Sequence, residues 1–393
     1  MILTQCPVCA AELPPLSAKQ CSRCKTRYCG ADCQKTHWEA GGHDQLCRKI
    51  RKGGGAEQYN ANTKYTEAVA VAAEACAEDT KGQTCYICTQ ALHWKTKEGL
   101  VRGCSCRGTA GFAHVSCLAE QAKILRQEAE DNNLGDKVLD ERFKRWRACS
   151  LCEQDYYGVV YHALGWACWK TYVGQPEAHW TRRLAMTALG NGLSGAEHHE
   201  AALSVREAEL SMLRRVGASE GNILIVKGNL AMTYRALERN EEALRLRREV
   251  YSGSLNIHGE EDRQVLLSVN NYADSLVDLQ RFEEAKTLLR KTIPVARRII
   301  GENDKLTLKM RWAYAWTLCD DTGATLDDLR ESVKTLEETV PTARRVLGGV
   351  HPSVVDMEQS LRAARAALRA RESGDVKSIR ELMAAAALAP GDA

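Results

Sequence analysis

CSRCKTRYCGADCQKTHWEAGGHDQLC, residues 21–47, holds five cysteines and two histidines. Read outward to Cys6, the stretch resolves into four ligand pairs: Cys6-x2-Cys9, Cys21-x2-Cys24, Cys29-x3-Cys33 and His43-x3-Cys47. Four pairs of soft ligands inside about fifty residues are what tetrahedral sulfur and nitrogen coordination of zinc requires. A two-residue gap lets a tight turn aim both thiolates at one ion. An x3 gap puts both ligands on one face of a helical turn. That geometry selects His43 over His37, which has no unused cysteine three or four positions away and reads as a packing or surface histidine.

A second array follows: Cys85-x2-Cys88, Cys104-x-Cys106, His114-x2-Cys117 and Cys149-x2-Cys152. Fourteen of the 17 cysteines, with His43 and His114, thus form two eight-ligand sets, and each set is spaced for two ions, four Zn²⁺ per chain. A catalytic zinc keeps an open position for water, whereas each site here has four protein ligands, mostly thiolates. The ions therefore read as structural, their binding free energy being folding free energy, and metallohydrolase chemistry is set aside. Cys76, Cys168 and Cys319 have no adjacent histidine or acid to activate them and read as buried free thiols.

The first array, with Tyr28-Cys29-Gly30-Ala31-Asp32-Cys33-Gln34 and Trp38 ahead of the histidine, closely resembles a MYND-type zinc finger over residues 6–47. The resemblance implies Cys6, Cys9, Cys29 and Cys33 on one zinc, Cys21, Cys24, His43 and Cys47 on the other, and capture of short proline-containing peptides. The second array has the C4HC3 order shared by PHD and RING-CH fingers. The one-residue gap Cys104-x-Cys106, Gly108, the seven residues from Cys106 to His114, Leu118 and Trp146 resemble the RING-CH pattern over residues 85–152. Cross-brace pairing would then put Cys85, Cys88, His114 and Cys117 on one ion and Cys104, Cys106, Cys149 and Cys152 on the other. The same gap disfavours a PHD-like, histone-tail reading.

A RING-CH finger, by that resemblance, docks a ubiquitin-conjugating enzyme and presents its ubiquitin to a substrate lysine, so the demand on this chain is positional. Ile87 and Trp146 are the candidate docking residues; both can equally pack the small core beneath the metals, and the two readings are not exclusive. Two departures stand out. Thirty-one residues separate Cys117 from Cys149, with helix-like composition over Ala119–Ala129 and Lys137–Trp146. Glu153 follows the last ligand, where many RING ligases carry a cation that helps hold ubiquitin, and this favours a non-catalytic scaffold as the alternative.

Beyond residue 180 cysteines nearly vanish and Ala, Leu, Arg and Glu recur with helical spacing. Ala201, Ala243 and Ala285 lie 42 residues apart, as do Gly217, Gly259 and Gly301, and Ala231, Ala273 and Ala315. Repeats of that period are stacked helix pairs, each closed by its glycine, with small alanines where helices approach. With Glu283-Glu284-Ala285 repeating Glu241-Glu242-Ala243, and Leu347-Gly348-Gly349-Val350-His351-Pro352 ending a later unit, they resemble the longer tetratricopeptide type of kinesin light chains. About four units are expected, the last interrupted near Asp320–Leu326, with capping helices over 353–388.

The expected organisation is a MYND-type finger over 1–52; a linker over 53–80 with a flexible Gly53-Gly54-Gly55 hinge and an Ala-rich helix (Thr66–Ala77); and a RING-CH-type finger over 81–156. A connecting aromatic helix over 157–179, TPR-like repeats over 180–350, and capping helices and tail over 351–393 follow. The fold class is small zinc-stabilised α+β fingers, then an all-α helical-repeat solenoid. Formal charge is +3 with neutral thiols; replacing fourteen thiols by thiolates and adding four divalent ions brings it to about −3, which argues against general nucleic-acid binding. No eighteen-residue apolar run or signal peptide is read, and cysteines paired for metal fit a reducing compartment, so the expected location is intracellular, cytoplasmic or nuclear, without membrane attachment. The function expected is a ubiquitin ligase that recruits a conjugating enzyme and holds protein substrates or peptides through its MYND and repeat modules.

Overall fold

The computed structural model describes residues 6–11, 13, 18–321, 323–349 and 351–373. The chain divides into two compact units, Met1–Ser219 and Glu220–Ala393. The first unit opens with a two-stranded antiparallel hairpin, β1 (Lys19–Gln20) and β2 (Arg27–Tyr28), followed by α1 (Ala31–Glu39) and α2 (His43–Lys52). Its core is Cys6, Leu13, Cys21, Cys24, Tyr28, Cys47 and Ile50. More than half of these are metal-ligand positions, so the finger has too little apolar surface to fold on burial alone.

Gly53-Gly54-Gly55 is a hydrogen-bonded turn rather than the expected open hinge. The Gly53 amide donates to Lys49 O (2.9 Å) and that of Gly55 to Ile50 O (3.0 Å), while Gly54 takes a left-handed φ of 92°, a helix C-terminal closure. The Ala56 amide then donates to Cys24 O at 3.1 Å, starting α3 (Ala56–Ala75) directly on the first finger. The helix begins ten residues before Thr66 because Tyr65 and Ala61 extend the apolar face of Ala68, Val69 and Ala72 with helical spacing.

α4 (Val115–Asp131), α5 (Asp136–Phe143) and a 3₁₀ turn (Lys144–Trp146) fill the gap between Cys117 and Cys149. α6 (Gly158–Tyr172) is buried nearly all round and is contacted by α3, α4 and α7 (Trp180–Gly195), so the aromatic segment forms the centre of this unit. Glycine sets the α6 to α7 approach: a Cβ on Gly192 would lie 2.8 Å from Tyr161 O, and one on Gly165 would lie 3.1 Å from Ala188 O. α8 (His199–Arg215) pairs with α7.

Glu209 of α8 is fully buried; one carboxylate oxygen accepts from Thr187 Oγ1 at 2.6 Å, and Oε2 has no hydrogen-bond partner among the described residues. Burial pushes its carboxyl from an ordinary 4.5 up to about 7, against the Thr187 hydrogen bond and the charges of Arg183 and Arg206. The folded value lies above the unfolded one. The stability carried by the protonated form is therefore complete below about pH 4.5 and is lost, to the extent of about 3 kcal/mol, as pH rises through about 7. Glu209→Gln is expected to raise the urea midpoint at pH 8 and leave it unchanged at pH 4; equal shifts at both pH values would contradict this.

The second unit consists of helix pairs α9 (Glu220–Ala236) with α10 (Asn240–His258), α11 (Arg263–Asp278) with α12 (Phe282–Ile299), and α13 (Lys305–Asp320) with α14 (Leu326–Leu347), closed by α15 (Pro352–Ser373). Gly217, Gly259, Gly301 and Gly348 all follow second helices with φ between 64° and 90°, the conformation that only glycine adopts without cost. Ala231, Ala273 and Ala315 are completely buried, as is Ala285. The alanine register slips once: α8 starts one residue later than the 42-residue period demands, so Ala202 is buried and Ala201 is exposed. The interrupted last repeat restarts with a capping box, Thr325 Oγ1 accepting from the Asp328 amide (3.1 Å) and the Asp328 carboxylate accepting from the Thr325 amide (2.9 Å). α15 caps the stack through Val354, Met357, Ala363, Ala364 and Ala367, and the expected helical segment beyond residue 373 lies outside the described residues. Among the described residues no helix is long and apolar enough to cross a membrane.

Candidate metal centres and docking surface

All four C-x2-C pairs adopt one backbone form. The amide of the first cysteine donates to the carbonyl five residues on (Cys6 to Ala11, Cys21 to Thr26, Cys85 to Gln90, Cys149 to Gln154; 2.8–3.0 Å). The amide of the residue after the second cysteine donates back to the first cysteine's carbonyl, and that residue is left-handed: Ala10, Lys25, Thr89 and Glu153 have φ of 57–64°. The remaining ligands come from helices: His43 and Cys47 lie one turn apart on α2, Cys33 on α1, and Cys117 in the first turn of α4 behind His114, its N-cap. Cys29 precedes α1, so of the x3 pairs only His43 and Cys47 are both helical.

Sixteen ligand atoms gather into four groups, each with every atom within 4.8 Å of the others: Cys6, Cys9, Cys29, Cys33; Cys21, Cys24, His43, Cys47; Cys85, Cys88, His114, Cys117; and Cys104, Cys106, Cys149, Cys152. A tetrahedron of about 2.3 Å metal–sulfur bonds has edges of about 3.8 Å. The observed separations match: Cys21 to Cys47 is 3.8 Å, Cys106 to Cys149 is 3.8 Å and Cys9 to Cys29 is 3.5 Å. The histidines enter by different nitrogens, Nε2 of His43 at 3.4 Å from Cys24 Sγ and Nδ1 of His114 at 3.4 Å from Cys88 Sγ. The other nitrogen of His114 lies 3.4 Å from Ala91 O, the second-sphere contact that holds a ligating imidazole in one tautomer. Burial pushes the Cys21 thiol up, but hydrogen bonds, chiefly from the Cys24 amide and the His43 side chain, outweigh it and bring it down to about 6. Such amides favour the thiolate that zinc requires. Outside the groups, burial raises Cys168 well above a normal thiol and Cys319 to about 12, which leaves both protonated.

The two docking candidates part company. Ile87 projects from the first knuckle of the second finger and is 37% exposed. Trp146 is 1% exposed, set edge-on to Tyr172 with ring centroids 5.9 Å apart, so its role is core packing and the docking reading of Trp146 is corrected. Leu151, not singled out from the sequence, is 51% exposed and occupies in Cys149-x2-Cys152 the place Ile87 holds in Cys85-x2-Cys88; that equivalence was its available signal. The knuckles are tied together by Tyr86 Oη and Ser150 Oγ at 3.1 Å. Beside them, Arg145 donates to Glu153 Oε1 (2.9 Å) and to Cys149 O (3.1 Å), so the acid after the last ligand is held against a cation.

In the second unit, successive first helices α11 and α13 line a cavity of about 350 Å³ with Asn270, Asp274, Lys309, Trp312 and Trp316. Asn270 Nδ2 lies 3.2 Å from Asp274, while its buried Oδ1 has no partner among the described residues.

These arrangements define a chain of two cross-braced zinc fingers and a helical-repeat array. Family models match in the same order: a MYND finger over residues 6–47, a RING-variant domain over 85–152 and a tetratricopeptide repeat over 221–298. The chain therefore carries two zinc-binding modules and a repeat module that mediates protein interaction. Among solved structures, the nearly identical TPR-like repeats of a Podosopora anserina kinesin light chain align in two crystal forms at 18% and 19% identity. Each has a TM-score of 0.42, covering 52% and 53% of this chain and 92% and 96% of theirs. BtubC (BKLC) from P. vanneervenii aligns at 12% identity and TM-score 0.41, over 71% of this chain and 93% of its own. No curated protein matches the chain.

Proposed function

We propose that the chain is a RING-CH-type E3 ubiquitin ligase, recruiting a ubiquitin-conjugating enzyme through its second finger and holding substrate or partner proteins through the MYND finger and the repeats. The observation that carries this reading is the pairing of the two knuckles by Tyr86 and Ser150, which leaves the aliphatic side chains of Ile87 and Leu151 uncovered on metal-braced loops. Such a surface can orient a conjugating enzyme, and orientation is the whole catalytic demand, since the thioester already carries the activated ubiquitin and the substrate lysine supplies the nucleophile. The Arg145 guanidinium on Glu153 supplies, from upstream, a cation beside the last ligand.

In an autoubiquitination assay of the zinc-loaded full chain with a panel of conjugating enzymes, wild type is expected to form chains. Ile87→Ala and Leu151→Ala are each expected to slow them about tenfold. Silence of wild type across the panel, with zinc content intact, would overturn the ligase reading and leave the non-catalytic scaffold that Glu153 favours.

A further inference from the structure

Residues 93–98 repeat the backbone of the zinc knuckles without cysteines. The His93 amide donates to Glu98 O (3.0 Å), the Lys97 amide donates to His93 O (2.9 Å), and Lys97 has a φ of 60°. Where a metal would join the first and fourth positions, His93 Nδ1 accepts from the Thr96 amide at 3.1 Å and lies 2.8 Å from Thr96 Oγ1. The imidazole is buried and packs edge-on to His114, with ring centroids 5.3 Å apart, so this turn is anchored on the zinc site. What it carries at its tip is Trp94, 68% exposed, followed by Lys95.

Trp94 and Lys95 stand on the rim of a groove of about 750 Å³, whose other walls are Tyr65 of α3, Lys123 of α4 and Lys170 of α6. The Lys170 ammonium sits 4.1 Å above the Tyr65 ring centre. It is half-buried, and no carboxylate lies within ion-pair distance of it among the described residues. The acid that most influences it, Glu98, already accepts from the Ser116 amide (2.7 Å) and from Ser116 Oγ (2.8 Å). Glu120, the one acid in the lining, lies 3.5 Å from Lys123. Three ammonium groups thus face one carboxylate in a groove floored and rimmed by aromatic rings. A partly desolvated cation without a counter-ion gains most from an incoming anion, and an exposed indole on a rigid turn is the kind of anchor that dominates peptide affinity.

We propose that this groove docks an acidic peptide segment of a partner protein, with an apolar residue of the peptide on Trp94 and its carboxylates on Lys95, Lys123 and Lys170. The site is separate from the Ile87 and Leu151 surface, and its test needs no conjugating enzyme, so its outcome is independent of ligase activity.

The measurement is fluorescence anisotropy of a labelled twelve-residue peptide alternating glutamate with leucine and phenylalanine, titrated with the zinc-loaded full chain. Binding is expected to weaken about tenfold in Trp94→Ala and in Lys170→Met, to weaken in Lys95→Glu, and to fall with rising salt. Trp94 and Lys95 are exposed, so their variants keep the test valid if Lys170→Met misfolds. The proposal is overturned if wild type does not bind, if the lysine-for-glutamate peptide binds equally, if a single-stranded oligonucleotide of equal charge binds more tightly, or if Trp94→Ala and Lys95→Glu bind like wild type.

Discussion

Replacing Cys104 with serine is expected to cost the second finger both of its ions, taking zinc content from four per chain to two. Cys104 is buried in the group with Cys106, Cys149 and Cys152, and a structural zinc of this kind carries on the order of 10–16 kcal/mol of apparent binding free energy at neutral pH. That exceeds the whole stability of an ordinary domain. The loss cannot stay local, because the Cys149 knuckle is joined to the Cys85 knuckle through Tyr86 and Ser150, and α4 and α5 run between ligands of the two ions. The second unit contains no ligand of any group and is expected to keep its helices. Elemental analysis with circular dichroism checks both points: three ions retained would mean that the two sites are independent, and global loss of helix would mean that the repeats depend on the finger.

Trp146→Ala is expected to destabilise the first unit by about 3–5 kcal/mol, the cost of emptying a fully buried aromatic site, whereas Ile87→Ala should remain within about 0.5 kcal/mol of wild type. Urea unfolding of the zinc-loaded chain separates them. A Trp146→Ala protein as stable as wild type would refute the packing role and return the residue to the surface.

The metal groups were legible because coordination chemistry constrains spacing so tightly: C-x2-C, a lone one-residue gap and an i,i+4 histidine leave few other uses. The repeats were legible in Gly217, Gly259 and Gly301, since a left-handed helix end requires glycine wherever it recurs. Trp146 was not, because an aromatic three residues before a ligand looks the same in sequence whether the 3₁₀ turn aims it outward or inward. The register of α8 was hidden because Ala201 and Ala202 are both alanine, and only the helix start decides which is buried. The turn at His93 was invisible for a different reason. A histidine and a threonine reproduce by hydrogen bonds what paired cysteines do through a metal, and no ligand motif signals that substitution.

The ligand pairs in both fingers alternate, so that the ion held by the first and third pairs encloses the second pair within its own loop. Loading one site therefore shortens the stretch of chain that must still be closed to build the other, and the entropy of that closure is spent only once. A finger holding a single ion is then the least favoured species, and metal uptake is cooperative: each finger passes from empty and unstructured to doubly filled over a narrow range of free zinc. The chain's binding surfaces would accordingly be available in an all-or-none manner, and zinc supply becomes a threshold for assembly as well as a structural requirement.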